Sequence, residues 1–144
     1  MKILIISLAS VLIMQWQPAM AASPEAEVKF LAAVRQGFEQ QDTNALIALT
    51  CWDRVPEKNI AYGQQQLVRD ITTMKVADMK LIDPDPGLPD QVWKDKDGVA
   101  YCSNLPVIKQ LKITFAPGGR FETGSFPVGE KDGKLFLLEP APVK

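Results

Sequence analysis

LPVIKQLKITFAPGGRFETGSFPVGEKDGKLFLLE, residues 105–139, decides the fold. Three apolar runs are separated by two turn signals, Ala-Pro-Gly-Gly at 116–119 and Gly-Glu-Lys-Asp-Gly-Lys at 129–134. Apolar runs broken by short Gly- and Asp-rich turns read as an antiparallel meander. Leu111, Ile113 and Phe115 alternate with Gln110, Lys112 and Thr114, so one face is expected to be buried and the other wet. Pro127 has no N–H to donate, which places its strand at an edge or a bulge. Leu135 to Leu138 is apolar on both faces and fits a more central strand or one covered twice.

Upstream, helices are needed to cover the dry face. Ser23-Pro24-Glu25 is a helix start: an N-cap hydroxyl, a proline suited to the first turn and an acid at the positive helix end. Phe30, Leu31, Val34 and Phe38 then recur at three-and-four spacing, giving an amphipathic helix to about Gln40. Asp42 caps a second, short helix through Ala45, Leu46 and Leu49, ending near Cys51. Pro56 opens a third, whose apolar face is Ile60, Leu67, Ile71 and Met74. Gly63 interrupts it and weakens it by about 1 kcal/mol relative to alanine; close packing and simple tolerance both fit. From Val76 the period becomes two: Ala77, Met79 and Leu81 face in, Asp78 and Lys80 out. Residues 83–90, with two Asp-Pro pairs, form a loop. Trp93 and the run Val99 to Cys102 flank Asp95-Lys96-Asp97-Gly98, a hairpin signal. From about residue 140, Pro-Ala-Pro-Val-Lys reads as a loose tail.

The first 21 residues have the form of an export leader: Lys2, an uninterrupted small-or-apolar run from Ile3 to Met14, Pro18, then Ala19-Met20-Ala21 as a small-x-small cleavage signal. The run is shorter than the roughly 20 residues a bilayer span needs. The expected mature chain, residues 22–144, is one domain. The whole sequence is 47% hydrophobic and 23% charged, a composition that can bury a core. The whole chain carries a formal charge of −1; without Lys2 it is −2. This balance leaves no basic footprint for nucleic acid or for anionic lipid. Periplasmic or secreted placement follows from the leader.

Export to an oxidising compartment gives Cys51 and Cys102 two readings. They form a disulfide closing a loop of about fifty residues, worth roughly 4 kcal/mol on the chain-entropy argument, or they are two buried thiols. The first is the expectation.

Chemistry is bounded mostly by exclusion. The chain has no histidine, which removes Ser-His-Asp and Cys-His catalysis, the common zinc sets and a histidine pH switch. No phosphate-binding glycine loop is present. Asp95, Asp97 and Gly98 resemble part of a calcium loop, but that alignment puts Trp93 and Asn104 at ligand positions, so the turn reading holds and no metal is expected. No cofactor is implied. Carboxylates and tyrosines remain: Asp78 or Glu122, with Tyr62 or Tyr101 as donor, would make an acid/base pair if burial raised the carboxylate pKa. Their alternation instead places both carboxylates on the wet face. Trp52, Tyr62, Trp93 and Tyr101 are the candidate ligand-binding residues; aromatics at this density also serve as core.

A helical hairpin, a third helix and a sheet ending in a meander resembles the cystatin-like α+β group, which includes the NTF2-like domains. The phrases Thr50-Cys-Trp-Asp-Arg-Val-Pro-Glu57, Asn104-Leu-Pro-Val107 and Phe126-Pro-Val-Gly-Glu-Lys-Asp-Gly133 look like those of small exported bacterial proteins of unassigned function. The resemblance implies an α+β fold with N-terminal helices packed on a curved antiparallel sheet. No Gln-x-Val-x-Gly segment of the inhibitory cystatins occurs. The expected function is non-catalytic binding of a small molecule or protein partner in the helix–sheet concavity. Two alternatives are an NTF2-like lyase or isomerase using a carboxylate–tyrosine pair, and a structural or partner-docking accessory domain.

Overall fold

A computed structural model describes residues 22–116 and 123–144. The expected leader, the first meander turn and Glu122 lie outside the described residues. Among the described residues, three helices precede seven strands. The Ser23 Oγ accepts from the Ala26 N–H at 3.1 Å and starts α1, Pro24–Glu39. Asp42 does the same for α2, Thr43–Ala48, accepting from the Ala45 N–H at 3.0 Å. Without such caps the first N–H groups of a helix have no partner. The third helix, α3, runs Glu57–Thr73 after Pro56.

The strands are β1 (Val76–Ile82), β2 (Trp93–Lys94), β3 (Ala100–Ser103), β4 (Lys109–Phe115), β5 (Thr123–Lys131), β6 (Lys134–Leu137) and β7 (Pro140–Pro142). They make a four-stranded sheet, β1-β4-β5-β6, and a three-stranded one, β2-β3-β7. The result is an α+β fold with helices packed against a strongly curled antiparallel sheet.

Phe30, Val34 and Phe38 are buried on α1, where spacing of four keeps them on one face. They join Leu46, Met79, Leu111, Ile113, Phe115 and Val128 in one core. Each such side chain contributes about 1.5–3 kcal/mol when fully buried, an upper figure because the unfolded chain already hides some surface. α1 lies close against β1 and β6, whereas the close neighbour of α3 is α2. The third helix therefore stands off the sheet, and this offset opens the site described below.

Several expectations are corrected. Ala77 is exposed, because an irregularity between Val76 and Asp78 shifts the register and packs Val76 on the core instead. Gln110 is buried, not wet: its side chain clamps the loop after β1, accepting from the Asp85 N–H at 2.9 Å and donating to Asp85 Oδ2 at 3.0 Å. Pro127 lies in β5, between β4 and β6. Its carbonyl accepts from the Leu138 N–H just past the end of β6, and a strand residue's N and carbonyl face the same way, so the missing N–H falls where the β5–β6 ladder ends and not on the β4 side. β6 is not central but an edge, and the segment after α2 covers it: the Leu137 N–H donates to Leu49 O and the Cys51 N–H to Leu137 O. The tail is not loose. Residues 140–142 pair with β3 as β7, and Ala141 is fully buried.

The bridge expected between Cys51 and Cys102 is not formed; both are free thiols. Cys51 is buried with Val107 and Leu138, while Cys102 alternates with the inward-facing Tyr101 and is only half-buried. Asn104 makes the tie instead. Its Nδ2 donates to the Cys51 carbonyl at 2.7 Å and the Asp53 carbonyl at 3.2 Å. Its Oδ1 accepts from the Glu139 N–H at 3.2 Å.

Candidate functional site

The gap between α3 and the two sheets is a cleft of about 420 Å³. Its α3 wall follows directly from helical periodicity. Lys58, Tyr62, Gln66 and Asp70 are spaced by four, and Asn59, Gly63 and Leu67 form the adjoining stripe. The floor is apolar: Leu111, Ile113, Phe126, Leu137 and Leu138, with Val34 and Phe38 of α1 behind. The opposite wall is the hairpin. Trp93 and Tyr101 are direct cross-strand partners, so both project to the same side. Asp95 and Glu139 complete the lining.

Three of the four aromatic candidates thus lie on one cleft. Tyr101 is buried, Trp93 is 36% exposed and Tyr62, at 63%, stands at the mouth. Trp52 does not line it. Its indole N–H donates to the Ile47 carbonyl at 3.0 Å, and its ring packs against α3 at Gly63. A Cβ added at Gly63 would sit 3.1 Å from that ring. Gly63 is thus closely packed, and a larger residue there needs the Trp52 ring to give by a few tenths of an ångström. Asp78 is exposed on β1 and away from the cleft.

Sequence reasoning missed the carboxylates that do line the cleft, Asp70, Asp95 and Glu139. Asp95 accepts at one oxygen from the N–H groups of Asp97 and Val99, each at 2.9 Å. The Val99 bond most of all, with the Asp97 bond, holds its carboxyl below the usual range. Asp70 is pushed up by burial, against the pull of the Arg69 guanidinium. Glu139 is pushed up by burial alone. Its backbone is held at both ends by Asn104, whose N–H donates to the Glu139 carbonyl at 3.0 Å. Among the described residues its carboxylate has no hydrogen-bond or ion-pair partner. The sequence signals were present but weak: a polar stripe at spacing four on α3, and an acid closing a fully apolar run.

A carboxyl whose folded pKa exceeds its unfolded value takes up its proton earlier in the folded state. Stability from this source is therefore greatest below the unfolded value of 4.5 and falls as pH rises through the higher folded pKa. Glu139→Gln is expected to remove that slope. In urea titrations across a pH series, the variant should gain on the parent from pH 4.5 upward and level off above the folded pKa. A stability difference independent of pH would contradict the assignment.

No group of three or more metal-ligating side chains occurs among the described residues, and no helix there is long and apolar enough to cross a membrane. Comparison with protein families, curated proteins and solved structures finds no match.

Proposed function

We propose that the chain is an exported, non-catalytic binding module of cystatin-like or NTF2-like architecture that takes a small molecule in the cleft between α3 and the curled sheet. The observation that carries this reading is the cleft itself. It has an apolar floor, aromatic walls and a few polar groups, and its volume falls in the ~300–1,000 Å³ range usual for small-molecule sites. The export leader supports periplasmic or secreted placement.

A thermal-shift screen of residues 22–144 against small metabolites tests it. A ligand at a hundred times its Kd adds about 2.7 kcal/mol of apparent stability, a shift on the order of 10 °C for a domain this size. Gln66→Trp, which fills the cleft from the polar stripe of α3, is expected to abolish the shift. A hit that Gln66→Trp leaves unchanged would count against the cleft.

One observation favours a second reading, a lyase or isomerase. Glu139, biased toward its protonated form by burial, shares the cleft with Tyr62 and Tyr101, and acid/base catalysis works best with a pKa moved toward the working pH. Incubating a screening hit with the protein separates the two. Chemical conversion that Glu139→Gln stops would select the enzyme, and unchanged ligand would select the binding module.

A further inference from the structure

The charges around the cleft are unequal. Among the described residues Lys58 is its one lining cation, against Asp70, Asp95 and Glu139. Asp95 is occupied by two backbone N–H groups and feels the Lys58 ammonium. Asp70 has Arg69 beside it at 3.8 Å. Glu139 alone has no counter-charge among the described residues, although its backbone is clamped in place. A carboxylate held in apolar surroundings without a partner is costly, and such a group takes a proton or waits for a cation. Facing the same space are the rings of Trp93, Tyr101 and Tyr62. Aromatic faces attract cations by their quadrupole, most strongly where water is excluded.

We infer that the ligand has an apolar body and a cationic, ammonium-type head, the body on the Leu111–Leu138 floor and the head paired with Glu139 beside the aromatic wall. The inference rests on the proposed binding function and adds the ligand's chemical class. A neutral head would leave Glu139 unpaired. An anionic head would meet three carboxylates and one lysine. Burial raises the Glu139 pKa in the free protein; where the carboxyl is protonated, cation binding breaks its O–H bond and releases the proton to solvent, and where it is already ionised the charge pair forms with no proton released.

The test uses three probes with one aryl body: 3-phenylpropyltrimethylammonium, 3-phenylpropan-1-ol and 4-phenylbutanoate. Calorimetric titration of residues 22–144 at pH 7 is expected to rank the cation tightest, at least about tenfold above the alcohol, a difference of about 1.4 kcal/mol, with the anion weakest. Cation affinity should rise with pH through the Glu139 titration and then level off. Lys58, Asp70, Asp95, Tyr62 and Tyr101 face the same space, so the pH series is repeated with Glu139→Gln. That variant should lose about tenfold for the cation, keep the alcohol's Kd within about twofold and show no pH-linked rise. Its cooperative urea transition verifies that it folds. Equal or tighter binding of alcohol or anion would overturn the inference and leave the binding function standing. Binding of the cation that Glu139→Gln leaves unchanged would overturn it too. If none of the three binds, the inference falls, and the metabolite screen judges the binding function separately.

Discussion

Alanine in place of Asn104 is expected to lower the unfolding free energy by about 2–4 kcal/mol, because two or three buried polar groups lose their partners at about 1–3 kcal/mol each when nothing replaces them. Asn104 is 3% exposed. Its amide spans three places distant in sequence: the Cys51 and Asp53 carbonyls after α2 and the Glu139 N–H after β6. Water cannot readily take over at the buried Cys51 carbonyl. Asn104→Asp should be at least as damaging, since it keeps an acceptor but sets a carboxylate oxygen against two carbonyl oxygens. Urea titration measures both. A loss below about 1 kcal/mol for Asn104→Ala would show that the clamp is dispensable.

The second large effect is expected at Leu111. This side chain is fully buried, sits on β4 opposite Leu81 of β1 and Phe126 of β5, and belongs to both the core and the cleft floor. Leu111→Ala removes burial and leaves a cavity, so a loss of about 2–5 kcal/mol is expected. The urea midpoint should fall with little change in slope, because the surface exposed on unfolding is nearly the same. A cost under about 1 kcal/mol would mean that the floor is not packed as described.

The elements written in local chemistry were legible. Capping residues and four-residue spacing gave α1 and α2, and turn residues between alternating runs gave the meander and the Trp93–Tyr101 hairpin. What escaped depends on contacts between distant segments. Ala77 turns outward because of a register shift against β4. Gln110 is dry because a loop 25 positions away folds over it. Residues 140–142 look like a tail until β3 offers its edge, and Asn104 carries no local signal of its role until its three partners converge. The site divides the same way. Its aromatic wall was visible as residue types, whereas the choice of Glu139 and Asp70 over Asp78 required knowing that α3 stands away from the sheet. The missing bridge is a case of a compartment argument outweighed by geometry: Cys51 and Cys102 sit in different surroundings, and hydrogen bonds join their segments.

The proposed ligand occupies the cleft between α3 and the curled sheet. The most direct measurement is a chemical-shift map of the protein titrated with a hit from the metabolite screen. The largest changes are expected on the Trp93 indole N–H, the Leu111, Ile113 and Leu138 methyl groups and the Tyr62–Asp70 stretch of α3. Changes centred instead on the separate groove between the start of α1 and the β5–β6 turn, at Phe30, Ala33 and Leu135, would contradict it.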